Sequence, residues 1–340
     1  MTHHTMPLFH VSVEQRELAR SARPIFQGAT ATADPGASWQ QLGASGFLGA
    51  ALPTAAGGLG LSCAEMALLT EEAGTLILPG PVVESLWVGI PAAFGGVGEE
   101  VLQPLLRGET YSVVVDRSLR GPDLDRAACV VVPTQEGDEL FPASALGRLD
   151  AIPTSDPLER SFRLRAAPAG GGQRVAPLHG VGAVTLGRLG AAAYLNGVSR
   201  WLLDQTVAHT SERQQFGVPI ASFQTVRHRL ADLHVELEFA RAACLSGACL
   251  VDEQSPEAAV AVDSLSIAAR RAFALAHRHA LQAHGGMGFT WEHPLHRRLK
   301  RGMTMSARFG TRRELESSLG RRLLAKVTSA PRETPPPPPI

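Results

Sequence analysis

The sequence predicts a mostly helical α+β protein. Helical segments joined by glycine turns come first, short β-branched runs broken by Gly, Pro and Asp follow, and long helical segments complete the chain. The hydrophobic pattern thus changes from helical to strand-like and back to helical, which indicates separate structural units. The expected units are an N-terminal helical domain (10–108), a reduced β domain (109–183), a C-terminal four-helix bundle (184–328) and a disordered proline-rich tail (329–340).

Cap and turn signals define the first helices. One helix is expected to open with Val13-Glu-Gln-Arg-Glu-Leu-Ala-Arg. Another begins after Ser62, because Glu65 three residues later completes a capping box. The run Gly57-Gly-Leu-Gly just before it is typical of a turn.

Strands are expected from Tyr111 to about Ala183. The runs Ser112-Val-Val-Val and Cys129-Val-Val-Val are rich in β-branched residues, and Gly170-Gly-Gly is typical of a turn. This stretch predicts a small β unit between the helical ones.

The long helices of the bundle follow Thr185. Val226, Leu230, Leu233 and Leu237 have spacings of four, three and four, which places them on one helix face. The expected helices span 185–211, 223–252, about 256–283 and 311–327.

Composition excludes several classes of protein. Of 340 residues, 44% are hydrophobic and 19% charged, as in globular proteins. No run reaches the ~18 apolar residues of a membrane-spanning helix, and the first residues lack the basic and apolar parts of a secretion signal. The four cysteines have no CxxC spacing, so we expect neither a zinc site nor disulfides, and a cytoplasmic location.

The formal charge of zero conceals an asymmetry. Residues 270–326 hold 13 Lys and Arg against 3 Glu, which gives +10 there and −10 elsewhere. Such an excess indicates a phosphate-bearing partner or a solvated helix face. Nucleic acid is not the expected partner, because the basic residues are not interleaved with aromatic ones and no nucleic-acid-binding motif is present.

Five histidines cluster near the end of the third long helix. His277 and His284 share a face, but no acidic or cysteine ligand joins them, so surface or interface positions are expected and no metal site. The full set is His277, His279, His284, His293 and His296.

Two motifs carry the chemical information. The first, Arg213-Gln-Gln-Phe-Gly-Val-Pro-Ile-Ala-Ser-Phe-Gln224, is a turn between two helices, and its arginine could bind a diphosphate through charge-assisted hydrogen bonds. The second is Gln282-Ala-His-Gly-Gly-Met-Gly288. Its glycines fit either a helix C-cap or a close backbone approach to a ligand.

Together these motifs resemble the C-terminal bundle of acyl-CoA dehydrogenases. The stretches Leu42-Gly-Ala-Ser-Gly-Phe-Leu, Pro53-Thr-Ala-Ala-Gly-Gly-Leu-Gly-Leu-Ser and Glu71-Glu-Ala-Gly are similar to the N-terminal domain of the same family. The resemblance covers roughly residues 10–327. It implies an FAD-dependent enzyme that desaturates acyl-CoA thioesters.

The resemblance also implies cofactor-binding residues. Arg213 and Gln224 would contact the pyrophosphate of an FAD bound mainly to a neighbouring subunit. Gln282, Gly285 and Gly286 would line its adenine end. The remaining expected cofactor-binding residues are Phe216 and Thr311.

The catalytic base of the family is missing. In the resembling enzymes a glutamate removes the substrate α-proton, which is general-base catalysis by a carboxylate in an apolar pocket. The usual position precedes a Gly-Thr pair and is Phe309 here; the position that a minority of the family uses aligns with Gly187. Neither side chain accepts a proton, so this chain has no expected catalytic residue.

The β domain also departs from the family. Leu105-Leu-Arg-Gly-Glu109 is similar to the run that precedes the flavin-ring segment, but the chain continues as Val113-Val-Val-Asp-Arg-Ser-Leu-Arg without that segment. The tryptophan strand that covers the ring is absent as well. All four tryptophans lie outside the β domain, at Trp39, Trp87, Trp201 and Trp291.

The cofactor-binding motifs, together with the missing base and the missing flavin-ring segment, predict a heteromer. A homologous subunit would supply the catalytic glutamate and the flavin-ring site, as in actinobacterial α2β2 acyl-CoA dehydrogenases of steroid side-chain degradation, whose base-lacking subunit this chain resembles. A steroid-CoA or another bulky acyl-CoA is the expected substrate. Two alternatives stay open: a homomeric dehydrogenase with a relocated base, for which Glu212 and Glu314 are the nearby carboxylates, and a non-catalytic scaffold of the same fold.

Overall fold

The chain folds into helices, two small sheets and a second set of helices, as the sequence predicts. This computed structural model describes residues 11–329 except 32, 33, 117, 135, 169 and 178. The predicted disorder of the proline-rich tail concerns residues that lie almost entirely outside this range. Within it, no helix is long and apolar enough to cross a membrane.

The first part of the chain is helical. It contains α1 (Val13–Ala31), α2 (Pro35–Ala44), α3 (Cys63–Leu76), a π-helical segment (Glu84–Gly89) that continues into α4 (Ile90–Gly96), and α5 (Glu99–Leu106). The capping box at α3 is confirmed: the Ser62 hydroxyl accepts from the Glu65 amide, and the Glu65 carboxylate accepts from the Ser62 amide at 2.9 Å. The capping box therefore sets the start of this almost fully buried helix.

In the described residues, seven strands follow and form two sheets. They are β1 (Tyr111–Val114), β2 (Arg120–Pro122), β3 (Ala127–Pro133), β4 (Asp138–Pro142), β5 (Leu149–Ile152), β6 (Ser161–Leu164) and β7 (Gln173–Val175). One sheet has the order β1-β3-β4-β7, with β1 and β3 parallel, and the other has the order β2-β6-β5. Both predicted valine runs are buried in the first sheet.

The second helical part contains one helix more than the four that the sequence predicts. It comprises α6 (Ala183–Glu212), the short strands β8 (Gln214–Gln215) and β9 (Val218–Pro219), α7 (Gln224–Asp252), α8 (Ala258–His284), α9 (Leu295–Ala307) and α10 (Arg312–Ser329). Helix α9 has no counterpart in the sequence prediction, because its dense Arg and Lys residues mask the apolar spacing. It buries Leu295, Leu299 and Met305.

Helix α6 lies at the centre and packs against α3, α7, α8 and α9. Glycines bring α3 and α6 together: a Cβ at Gly197 would lie 1.9 Å from the Glu71 carbonyl oxygen, and a Cβ at Gly74 would lie 2.1 Å from the Tyr194 carbonyl oxygen. Arg200 of α6 then pairs with Glu71 and Glu72 of α3, at 2.6 Å each. Small residues and a half-buried ion cluster thus hold this crossing together.

Gly197→Ala tests the close crossing. The added methyl group would overlap the α3 backbone, so we expect the free energy of unfolding to fall by about 1–3 kcal/mol. Gly320→Ala is the matched control, since a Cβ there meets nothing within 4 Å and alanine favours helix by about 0.5–1 kcal/mol. Urea titration monitored by circular dichroism measures both; equal stabilities would contradict the close packing.

Candidate functional site

Three neighbouring depressions occur along α8. The hairpin pocket, of about 450 Å³, lies between the end of α6, the β8–β9 hairpin and the end of α8. The aromatic pocket, of about 300 Å³, lies between the hairpin, α7 and α8. The α8 groove, of about 830 Å³, follows α8 toward α9 and the start of α10.

The end of α6 presents the predicted arginine. Helix α6 ends at Glu212, Arg213 is its C-cap, and its carbonyl accepts from the Ile220 amide at 2.8 Å. Within the described part, the Arg213 guanidinium has no hydrogen-bond or ion-pair partner. It is an exposed cation that lines the hairpin pocket.

The hairpin turn displays an aromatic side chain. Phe216 and Gly217 both have left-handed backbones, with φ of 53° and 81°, as a two-residue hairpin turn requires. The Phe216 side chain is 93% exposed and its ring packs edge-on against Phe223, with centroids 6.2 Å apart. The ring of Phe216 therefore lies open to solvent at the tip of the hairpin.

Glycines open the other wall of the hairpin pocket. Gly285 is the C-cap of α8 with φ of 58° and ψ of −140°, a conformation restricted to glycine. A Cβ at Gly285 or Gly286 would meet nothing within 4 Å, so any side chain there would project into open space. The helix C-cap interpretation of this motif is confirmed, and the backbone at these glycines is accessible; binding of a ligand there stays a prediction.

The structure brings most of the predicted cofactor residues together. Arg213, Gly285 and Gly286 line the hairpin pocket, while Phe216 and Gln282 line the adjacent aromatic pocket. Thr311 lines the α8 groove, which it shares with Gln282 and Gly285. Gln224 is the exposed first residue of α7 and lines none of these three pockets.

The sequence predicts that the basic residues of the segment 270–326 are exposed, and this prediction is wrong for some of its arginines. Arg270, Arg301 and Arg308 are buried or nearly so and serve the interior. Arg270 donates to the carbonyls of Ser306 and Arg308, each at 2.8 Å, and burial lowers its pKa to about 10. The charge excess thus combines interior arginines with exposed ones, which the sequence pattern does not distinguish.

Phe309 and Gly187, the two residues predicted to stand at base positions, lie against each other. The Phe309 side chain is buried, and its residue has a left-handed backbone with φ of 59°. A Cβ at Gly187 on α6 would lie 2.2 Å from Cε1 of the Phe309 ring. The aromatic ring therefore fills the space in which a side chain from position 187 would begin, and the site is apolar on both sides.

Arginines hold this turn in place. Arg188 donates to the Phe309 carbonyl at 2.9 Å and pairs with Asp263 at 2.6 Å. Arg308, the residue before the phenylalanine, pairs with Glu84 at 2.9 Å and with Glu159 at 2.6 Å. The turn is thus anchored on α6, on the N-terminal helices and on the loop that follows β5.

The anchoring carboxylates form a buried cluster that sequence reasoning missed. Glu84, Asp156 and Glu159 lie around Arg301 and Arg308, with Arg301 Nε 2.9 Å from Asp156. Burial raises the pKa of Glu84, against the opposing effect of Arg308. These acids come from distant segments with no shared motif, so only the fold shows that they are paired and structural.

The two carboxylates considered as relocated bases do not lie at the base positions. The Glu314 carboxylate accepts hydrogen bonds from the Thr311 amide at 2.7 Å and from its hydroxyl at 2.9 Å, which caps α10. Glu212 is exposed at the end of α6, 25 positions beyond Gly187 in the sequence.

Two histidines differ from expectation. His284 and His296 are buried, so the expected surface or interface placement is wrong for them.

The cysteines are mostly buried. Cys63, Cys129 and Cys244 are buried, and Cys249 is half-buried. Atoms of Cys63, His179 and Asp252 lie within 4.8 Å of one another, but both Asp252 oxygens already accept amides of α3. This carboxylate caps the helix.

Comparisons with known proteins agree with this architecture. The protein-family model of the acyl-CoA dehydrogenase N-terminal domain matches residues 13–109 of the sequence, and the family model of the C-terminal domain matches residues 181–324. Acyl-CoA dehydrogenase IpdE2 of Mycobacterium tuberculosis is 30% identical over 300 residues, which cover 86% of each chain.

Solved structures show the same fold. The Tcur3481-Tcur3483 steroid ACAD G363A variant has a TM-score of 0.81 and 25% identity over 94% of this chain and 100% of that one. The ChsE4-ChsE5 complex from Mycobacterium tuberculosis has a TM-score of 0.78 and 22% identity over 96% and 100%. Fold and motifs together define an acyl-CoA dehydrogenase architecture. This chain belongs to the acyl-CoA dehydrogenase family.

A double-mutant cycle tests the contact between the base positions. Gly187→Ala should cost about 1–3 kcal/mol of unfolding free energy, because its methyl group overlaps the Phe309 ring. In a Phe309→Ala background this penalty should nearly vanish, which gives a coupling energy of about 1–3 kcal/mol. Additive effects in urea titrations would show that the ring does not occupy this space.

Proposed function

We propose that this chain is the base-lacking subunit of an FAD-dependent acyl-CoA dehydrogenase. A homologous subunit carries the catalytic glutamate and the flavin-ring site, and this chain completes the FAD site from across the interface in an α2β2 assembly. The observation that carries the proposal is the Phe309 ring packed against Gly187, at the two positions where the family places its base.

The hairpin pocket fits the adenosine diphosphate part of FAD. Arg213 has no side-chain partner among the described residues, so its guanidinium is suited to a diphosphate, and the backbone at Gly285 and Gly286 is unobstructed. Phe216 and Gln282 extend this surface on the side of the aromatic pocket. When bound, FAD supplies a hydride acceptor; this chain supplies binding and orientation of its adenine end.

The exposure of these residues supports a site shared between subunits. A cofactor pocket within one chain normally buries its charged groups, whereas Arg213, Phe216 and Gln224 are all exposed. A second protein surface would bury the Phe216 ring and strengthen the interaction of Arg213 with an anion, because both would leave water.

The residues at the predicted base positions support a partner subunit as the source of the proton acceptor. Deprotonation of the substrate α-carbon needs a carboxylate within hydrogen-bond reach of that proton. Phe309 and Gly187 offer none, and the Arg188 and Arg308 contacts hold the turn in this arrangement. In this proposal the partner subunit contributes the glutamate.

A steroid-CoA or another bulky acyl-CoA is the proposed substrate class. The Tcur3481-Tcur3483 structure, with a TM-score of 0.81 to this chain, is a steroid ACAD whose name joins two proteins. That likeness supports both the substrate class and the heteromer.

The buried free thiols Cys63, Cys129 and Cys244 are consistent with the cytoplasmic location that we propose.

Flavin content tests the proposal. We expect the chain co-purified with a homologous glutamate-bearing subunit to hold on the order of one FAD per heterodimer, and the chain alone to hold none, because its ring site is incomplete. Absorbance near the flavin bands and protein quantitation measure the ratio. A flavin-loaded, active homomer would contradict the heteromer, and a flavin-free complex would favour the scaffold alternative.

Arg213→Gln probes the diphosphate contact. Loss of a charge-assisted hydrogen bond should raise the FAD dissociation constant of the complex about 10–100-fold. Arg107→Gln is the matched control, because Arg107 is also an exposed C-cap arginine, of α5, and pairs locally with Glu109 at 2.7 Å. Flavin fluorescence titration gives both constants, and equal constants would reject this role of Arg213.

Glu212→Gln and Glu314→Gln test the homomeric alternative. Since neither carboxylate lies at a base position, we expect the dehydrogenase activity of the complex to stay within about twofold for each variant. A drop of about 1,000-fold or more in kcat for either one would identify a relocated base in this chain.

A further inference from the structure

Three imidazole rings meet beside the hairpin pocket. His209 of α6 and His284 at the end of α8 are stacked with centroids 4.3 Å apart and an interplanar angle of 19°. The His293 ring lies edge-on to His284 at 4.9 Å. His209 and His284 line the same pocket as Arg213, Gly285 and Gly286.

A backbone carbonyl defines the tautomer of the His284 ring. His284 Nδ1 lies 2.8 Å from the Ala280 oxygen, and since a carbonyl only accepts, Nδ1 carries the hydrogen. In a neutral imidazole ring the second nitrogen has a lone pair and can only accept. It becomes a donor to an anionic oxygen once the ring binds a second proton.

The groups around these rings are positive or neutral. Burial, followed by the neighbouring His284 and His293 and by Arg213, lowers the pKa of His209. Burial, followed by His284 and His296, lowers the pKa of His293. The carboxylates nearest in sequence, Glu212 and Glu292, are exposed and do not line the pocket.

We propose that His209 and His284 form a proton-coupled diphosphate site, in which binding of an adenosine diphosphate group is accompanied by proton uptake on the stacked pair. This proposal rests on the proposed function for its ligand. FAD and coenzyme A both carry this group, and we assign the site to FAD because Arg213 and the glycines of the adenine-end motif share the pocket.

The direction of the pH effect follows from linkage. A bound anion stabilises the charged form of an imidazole, so its pKa is higher in the complex than in the free protein. Affinity therefore rises as pH falls through the interval between the two values. Stacking of the two rings opposes double protonation, so uptake on the order of one proton is expected.

FAD titrations of the co-purified complex, stripped of flavin, test this site. Between about pH 8 and about pH 6 the FAD dissociation constant should fall about tenfold. Isothermal titration calorimetry near pH 7, in two buffers of different ionisation heat, should show net uptake on the order of one proton per FAD. Coenzyme A binding to this complex should show neither effect.

Variants separate this site from general effects of pH. His284→Asn retains a side-chain N–H donor for the Ala280 carbonyl. Both His284→Asn and His209→Asn remove the ring nitrogen to which we assign proton uptake, so each should reduce the pH ratio to below about threefold. His234→Asn is the control, because His234 is exposed on α7 and lines none of the three pockets. It should keep the tenfold ratio.

The outcomes are distinguishable. Two results would overturn the proton-coupled site and leave the proposed function intact. One is an FAD affinity that does not change with pH. The other is an unchanged pH ratio in His209→Asn, a variant that the half-exposed position of His209 tolerates. Complexes that bind no FAD at either pH would overturn the proposed function itself. Proton-coupled binding of coenzyme A in place of FAD would overturn the assignment of the ligand.

Discussion

The close crossing of α3 and α6 is the contact on which the rest of the structure depends. Gly74 and Gly197 let the two backbones touch, and Arg200 ties the helices together with the Glu71 and Glu72 carboxylates. This crossing immobilises α6, which in turn supports α7, α8 and α9. At 1.5 Å per residue, a single rigid helix therefore separates Gly187 from Arg213 by about 39 Å.

The two ends of α6 have opposite character. Around Gly187 the structure is tightly packed, because the Phe309 ring fills the space beside this glycine. Arg188 and the buried cluster of Glu84 and Glu159 with Arg308 hold the adjoining turn. Around Arg213 the structure is open, because the side chains of Arg213, Phe216 and Gln224 are exposed. An arrangement of the turn that separates Arg308 from Glu84 and Glu159 would leave buried charges unpaired, which is costly. A rigid closed end and an open, charged end suit a subunit that completes the site of another.

Local patterns predicted most of the fold. The capping box of α3, the buried valine strands and the long helices follow from spacing and caps, and the two motifs led to residues that share adjacent pockets. Helix α9 escaped prediction because arginines obscure its apolar positions, and the burial of Arg270, Arg301 and Arg308 depends on partners far away in sequence. The contact between Phe309 and Gly187 likewise arises from tertiary packing, although each residue had been singled out separately.

The central claim is that this chain contacts the adenine end of an FAD whose ring belongs to a partner subunit. Photolabelling with 8-azido-FAD tests it most directly, because the azide is on the adenine ring and marks the chain beside it. Mass spectrometry of the irradiated complex should find the label on peptides of this chain that contain residues 282–287 or 213–224. Labelling confined to peptides of the partner subunit would contradict the account.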